Sequence, residues 1–420
     1  MQAHGAIARL RVGPPRLGFD FDAVFEPDGA RAILSGGSRG YIKDAPVYHE
    51  FTRLFGEGLF TFNGDDWQRR RRILQPLFTR QRVQDYVPLM SSWSDDLVRL
   101  LGNTRDGTAL PAAAMHYTLN VLGSTLFGED MSSAGPVLQR AVPLINAEAA
   151  KRGLAPVRLP PWVPTPSHRR TARAQRELRS VVDDIVRSRD GDGGRDDLLE
   201  RLISARDPET GQSLTPLAIR NEALIFLGAG LDPPPNALGF TLYLLGGHHQ
   251  VQQRVRDEVA AVIGDAPVTA DDLPHLRFTS MVVDEALRLY PLGHTLLRKA
   301  TADDEVCGHR IPAGQIMAVS VWGLHRNPRV WSDPGEFRPE RFDPAVSPER
   351  DPYAYLPFGG GPRTCIGMHL AHAQLVVAVA SVVRTLTIRA PDRRPPARAG
   401  LTLMTGEPFR CSFEPVALAG

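Results

Sequence analysis

The chain has 420 residues, of which 42% are hydrophobic, 23% charged and 7% aromatic, a composition that can bury a large core and excludes a disordered or fibrous protein. Its 49 basic and 47 acidic residues leave a formal charge of +2, so the strongly basic surface that nucleic acid calls for is absent. The longest apolar runs, 223–231 and 375–383, are about half of the ~18 residues a membrane span needs, and residues 1–11 carry His4, Arg9 and Arg11 without the apolar core of a signal peptide. A soluble, cytoplasmic, monomeric protein with no nucleic-acid or membrane partner is expected.

No linker and no internal repeat divides the sequence, so 1–420 reads as a single domain. In chain order, a strand is expected at 31–34 and helices, by their apolar period, at 69–78, 173–186, 216–231, 236–245, 251–263 and 278–290. The polar stretch 187–197 (RSRDGDGGRDD) reads as a mobile loop between helices. Strands follow at 300–311, with a hairpin around Gly308, then at 315–321 and 386–390. The class is mainly α with a smaller β portion (α+β). Arginine outnumbers lysine heavily, with Lys43, Lys151 and Lys299 the only lysines, a bias of GC-rich bacterial coding.

Three cysteines, Cys307, Cys365 and Cys411, are too few and too scattered for a disulfide framework or a zinc site. Cys365 stands out by its context. It lies in the run Phe358 to Gly367 (FGGGPRTCIG) and ends the tight loop that three glycines beside a proline make there, open to something flat and bulky. A long apolar helix starts just after it, and a cysteine at a helix N-terminus meets free N–H groups and the positive dipole end, which favour a thiolate. Such a thiolate suits a metal ion, and Arg363 beside it suits an anion.

Phe358, Gly361, Arg363, Cys365 and Gly367 resemble the haem-binding signature of the cytochrome P450 family. Glu285 and Arg288 resemble the family's buried Glu-x-x-Arg pair, with Arg341 as its third member. Trp67 and Arg71 (WQRRRRIL) and Arg298 resemble its propionate partners, for which the planar guanidinium fork is suited. The resemblance covers residues 58 to the C-terminus. It implies a cytochrome P450 fold, with haem b between a distal and a proximal helix and Cys365 as the iron ligand. It also implies O2-dependent monooxygenation of a lipophilic small molecule, in the setting of bacterial secondary metabolism. At this length no fused reductase is expected, so ferredoxin and ferredoxin reductase are the implied donors, and Arg69, Arg70 and Arg72 are a candidate docking face for them.

The sequence departs from the family where oxygen is activated. The run Ala229-Gly230-Leu231-Asp232-Pro233-Pro234-Pro235 keeps the acid, Asp232, but places Pro233 where a threonine is expected. Proline has neither hydroxyl nor N–H, so the helix is expected to end near Leu231 and restart with the prolines in its first turn. Asp232 then sits at the N-cap with no N–H to accept from, free to bind water or face the haem. Oxygenation is the favoured reading. The alternative is a haem-thiolate reaction that needs no protein relay: nitrene-like transfer or cyclisation, rearrangement, radical coupling or peroxide-driven oxidation. By family analogy Leu227, Ala229, Leu292, His294, Leu296, Leu403 and Met404 line the substrate pocket, mostly apolar with one polar handle.

Overall fold

The structure is a computed structural model that describes residues 5–14, 18–36, 40–103, 107–128, 131, 134–160, 162–189, 197–346 and 349–416. The hairpin β1 (Ile7–Val12) and β2 (Phe19–Val24) leads to α1 (Pro27–Ser35), β3 (Tyr41–Ile42), α2 (Pro46–Phe55), α3 (Gly64–Leu74), α4 (Arg80–Asp85), α5 (Val87–Gly102) and α6 (Ala109–Phe127). A helical middle follows: α7 (Gly135–Gly153), α8 (Pro166–Arg187), α9 (Leu198–Ser204), α10 (Pro216–Gly230), α11 (Pro233–Gly247), α12 (His249–Val262) and α13 (Arg277–Leu289). The last third holds β4 (Leu296–Ala300), β5 (Asp304–Val306), β6 (His309–Ile311), β7 (Ile316–Val319), α14 (Val321–Leu324), α15 (Met368–Thr385), β8 (Leu386–Arg389), β9 (Ala397–Ala399), β10 (Leu403–Thr405) and β11 (Ser412–Pro415).

The expected helices all form, and the class is mainly α with a smaller sheet portion. The expected strand at 31–34 does not form: those residues lie in α1, where Ala30, Ile33 and Leu34 are buried at helical spacing behind a proline in the first turn. Four residues are too few to tell a period of 2 from one of 3.6. The hairpin around Gly308 is present, with Cys307 (φ 49°) and Gly308 (φ 74°) as its two turn residues, the pair of positive φ values a type I′ turn requires. Of the polar stretch 187–197, residues 190–196 lie outside the described residues. Its two ends are pinned: Arg189 pairs with Asp197 at 2.8 Å, both buried.

Five strands form one sheet in the order β1-β2-β7-β4-β3. Within it β4 lies antiparallel to both β7 and β3, and Ile42 stands opposite Lys299. Continuing that register by one residue brings Lys43 opposite Arg298.

The helices bury two large apolar clusters. One is built from α5, α6, α11, α12, α13 and α15, the other from α2, α3 and α6 to α10. Only α6 contributes many residues to both. The break between α10 and α11 therefore falls where the chain passes from one cluster to the other. Helix α15 is apolar and long enough to cross a membrane, and every residue from Ala373 to Val383 is buried, the apolar ones in the first cluster.

Candidate functional site

The Cys365 loop is held by its own backbone. Cys365 N–H donates to the Phe358 carbonyl at 2.9 Å, and Thr364 donates to the Gly361 carbonyl through both N–H (3.1 Å) and Oγ1 (2.7 Å). Gly361 has φ 68°, and a Cβ there would lie 2.1 Å from the Leu34 carbonyl oxygen, so only glycine fits. Gly367 is the N-cap of α15 and points its N–H at the Cys365 sulfur. The cysteine keeps accessible surface although protein atoms crowd around it. Burial pushes its thiol up from the ordinary value, against the Gly367 N–H and the charges of Arg71 and Lys43, which pull it down. The dipole end alone thus does not make it a thiolate, whereas a coordinated metal ion would.

Around this sulfur converge four cations. Arg71 donates to the Thr364 carbonyl at 3.0 Å. Arg363 lies 4.5 Å from the Trp67 ring centroid and donates to the Phe62 carbonyl (2.6 Å) and to Asn63 Oδ1 (3.1 Å). Arg298 is buried and donates to the Leu297 carbonyl at 2.8 Å, with Tyr48 Oη 3.4 Å away. Lys43 lies over the Phe60 ring at 4.0 Å and donates to the Phe60 carbonyl at 3.2 Å. Burial and the like charges of Arg298, Arg363 and Arg71 push its ammonium well below the ordinary lysine value. Burial and Arg298 lower the Arg363 guanidinium to about 10.

No carboxylate pairs with any of the four among the described residues, and Nε and Nη1 of Arg363 are buried without a partner. Cations clustered in this way, Arg298 buried and the other three half-buried, call for an anion. A haem fits these residues: its iron against Cys365, its two propionates against the cations. Lys43 and Asn63 escaped the sequence reading. Asn63 accepts from Lys43 N–H (2.9 Å), donates to the Lys43 carbonyl (3.1 Å) and holds Arg363. The β3–β4 register brings Lys43 to the site, and Asn63 comes as the N-cap of α3, four residues before Trp67.

The expected charge cluster behind the loop is present. Arg288 makes a two-pronged pair with Glu285 (2.6 and 2.8 Å) and spends its other donors on the carbonyls of His325, Pro334 and Glu336. Arg341 adds a contact to Glu285 at 3.1 Å. His325, also missed in the sequence, ties this cluster to the loop. Its Nδ1 lies 3.1 Å from the Arg288 carbonyl and its Nε2 accepts from Leu356 N–H at 2.8 Å. That pairing requires a neutral ring with its proton on Nδ1, and burial lowers its pKa to about 3.

Helix α10 stops at Gly230 and α11 starts at Pro233, with the prolines in its first turn and Asp232 at the N-cap. The break is the one expected. The carboxylate is not free, however: Oδ2 accepts from Thr402 Oγ1 at 2.8 Å and from Asn146 Nδ2 at 3.3 Å.

The expected pocket residues divide. Ala229 is exposed, and His294, Leu296 and Met404 are half-buried. Leu292 and Leu403 sit in the first apolar cluster, joined by a bond from Leu403 N–H to the Leu292 carbonyl at 2.9 Å. Leu227 has no exposed surface and packs in the second cluster. Two residues apart on a helix point about 200° apart, so Leu227 and Ala229 do not share a face, and the lining role of Leu227 is corrected to core packing. On the candidate docking face, Arg69 and Arg72 face Asp207 (3.6 and 3.2 Å) and Arg70 faces Glu222 (3.5 Å).

A family model described as Cytochrome P450 matches residues 1–411. The Cyclooctat-9-en-7-ol 5-monooxygenase of Streptomyces melanosporofaciens is 32% identical over 395 residues, covering 93% of this chain and 84% of that protein. The Cyclooctatin synthase of the same organism is 29% identical, covering 99% and 90%. Mouse Cytochrome P450 3A13 is 32% identical, covering 86% and 78%. Among solved structures, the cytochrome P450DA heme domain superposes with a TM-score of 0.88 at 26% identity, over 99% of this chain and 91% of that one.

Proposed function

This chain belongs to the cytochrome P450 family, and we propose that it is an O2-dependent monooxygenase of a lipophilic small molecule in bacterial secondary metabolism. It is an oxidoreductase of a family and fold that bind haem b through a cysteine thiolate. Cys365 is the proposed ligand. The observation that carries this assignment is the Cys365 sulfur with Lys43, Arg71, Arg298 and Arg363 clustered around it and no carboxylate pairing them among the described residues. When bound, a thiolate-ligated haem supplies oxygen activation.

The chain's own residues do the rest. The Phe358 carbonyl and the Gly367 N–H hold Cys365 in place. Trp67 orients Arg363, whose free Nε and Nη1 suit a propionate. Ala229, Leu296 and Met404 offer apolar surface to a lipophilic ligand, and His294 a polar handle. The Streptomyces relatives, named for cyclooctat-9-en-7-ol and cyclooctatin, support a substrate of the same broad lipophilic kind. Electrons are proposed to come from a separate ferredoxin and its reductase, with the chain acting as one cytoplasmic, monomeric haem domain.

Pro233 gives the second reading its footing. A protein without the usual hydroxyl suits a reaction that consumes no protons at oxygen: nitrene-like transfer or cyclisation, rearrangement, radical coupling, or oxidation driven by peroxide. Incubation with a lipophilic host extract and a surrogate ferredoxin system, with and without O2, separates the two. A product one oxygen heavier, formed only with O2 and reductant, is expected. A product of unchanged mass, or one lacking a leaving group, formed without O2 would overturn the monooxygenase reading.

A further inference from the structure

Eight large apolar side chains are exposed among the described residues. Four of them, Leu154, Val157, Leu159 and Trp162, fall within nine residues of the link between α7 and α8. Trp162 is 81% exposed, and of the five tryptophans it is the one that faces solvent. The link is nevertheless well tied. Arg152 Nη1 donates to the Leu159 carbonyl at 2.9 Å, and His168 Nδ1 donates to the Val163 carbonyl at 2.7 Å. Val163 N–H donates to the Pro160 carbonyl at 3.0 Å. Pro156 packs against Gly13 in the turn between β1 and β2, where a Cβ would lie 2.4 Å from it. The polar backbone is thus held from inside while the large apolar side chains stay in water.

The same stretch is basic. From Ala149 to Arg176 there are seven lysines and arginines and no aspartate or glutamate, in a chain whose formal charge is +2. Arg152 pairs with Glu50 at 2.9 Å and Arg173 with Glu177 at 2.8 Å. Lys151, Arg158, Arg169, Arg170 and Arg176 are exposed and make no ion pair among the described residues. Lys151 lies in the last turn of α7, Arg158 in the link, and Arg169 and Arg170 in the first turns of α8. Because α7 and α8 pack against each other, these turns share one end of the pair with the link.

We propose that this tip docks the protein peripherally on membranes of anionic lipid. The apolar side chains, Trp162 foremost, enter the headgroup region, and the cations stay at the phosphates. Tryptophan favours that boundary for its amphipathic ring, and basic side chains favour it for the negative surface potential. A fluid bilayer closes around separate protruding side chains, whereas a partner protein needs a packed patch of ~800 Å2 on each side. A second copy would set one cationic tip against another, which like charge opposes. The expected absence of a membrane partner rests on the length of apolar runs, and docking through scattered side chains needs no such run. Docking does not depend on which reaction the site performs.

The test is co-sedimentation of the haem-loaded full chain with vesicles of phosphatidylcholine, alone or mixed equally with phosphatidylglycerol. Binding to the mixed vesicles that weakens with salt is expected, with a blue shift of tryptophan emission that is lost in Trp162→Phe. Trp162→Ala is expected to weaken binding about tenfold. A cation at such a surface contributes about fivefold, so Arg158→Glu and Arg169→Glu together weaken binding about twenty-fivefold or more. All three side chains are exposed, so haem absorbance and helix content stay at wild type in these variants. No binding to the mixed vesicles, equal binding to both kinds, or binding that survives the variants would overturn the proposal. So would a dimer that Trp162→Ala dissolves in a chain that ignores vesicles, which would make a second copy the occupant of the tip.

Discussion

The Cys365 side, with its charge cluster, and the Asp232 side of the molecule are built by different physics. Behind the cysteine, charges are paired and saturated: Glu285 meets two arginines, Arg288 directs its donors at the carboxylate and three carbonyls, and His325 passes the arrangement on to the loop. On the Asp232 side, one carboxylate is held by a hydroxyl and an amide that lie 170 and 86 residues away. A saturated charge cluster has one arrangement, because any loosening leaves a buried charge unpaired. A junction of neutral donors across the seam of two apolar clusters can change its proton and its partners at less cost. The first arrangement holds the loop of Cys365, the proposed ligand, and the second leaves more freedom at Asp232.

The largest expected effect comes from breaking the first side at its centre. Cys365→Ala is expected to abolish thiolate-ligated haem absorbance entirely while leaving helix content by circular dichroism near wild type. Second, Glu285→Ala strands Arg288 and Arg341 in the interior, which costs about 3–5 kcal/mol, read as a lowered denaturation midpoint and low haem content. Loss of that size without loss of haem would mean the cluster does not support the loop.

Third, His325 separates the sides by pH. Its ring stays neutral in the fold down to about 3, while an unfolded histidine takes a proton near 6.5. The unfolded state thus binds the extra proton as pH falls below 6.5. Stability from this group is full above that value and is lost by about 1.4 kcal/mol per pH unit on the way down to about 3. His325→Asn cannot titrate, so its stability curve is flatter over that window. An unchanged slope would show that the ring is not the titrating group.

The first side was far more legible in the sequence. Cys365, its glycines and Glu285 with Arg288 lie within ten-residue spans, where spacing alone fixes geometry. The helix break at Pro233 was equally readable, since proline acts locally. What the sequence hid depends on distant pairing: Lys43 arrives through a two-residue strand with no period of its own, His325 through a carbonyl on another helix, and Thr402 and Asn146 through the stacking of α7, α10 and the β9–β10 hairpin. Residues 31–34 and Leu227 were misplaced for related reasons. A short apolar run fits either period, and a lining role was assigned without regard to the helix face.

The smallest expected effect sharpens the contrast most. Asn236→Ala removes one bond to the Asp232 carbonyl and one to the Thr405 N–H, about 1–2 kcal/mol in all, with haem content untouched. Because Asn236 and Thr402 grip the same residue, Asn236→Ala and Thr402→Val are expected to couple, with an interaction energy above about 0.5 kcal/mol by double-mutant cycle. Asn236→Ala with His325→Asn shares no partner, and their effects are expected to add within about 0.5 kcal/mol. Strong coupling between them would mean that the charge cluster and the Asp232 junction are one mechanical unit.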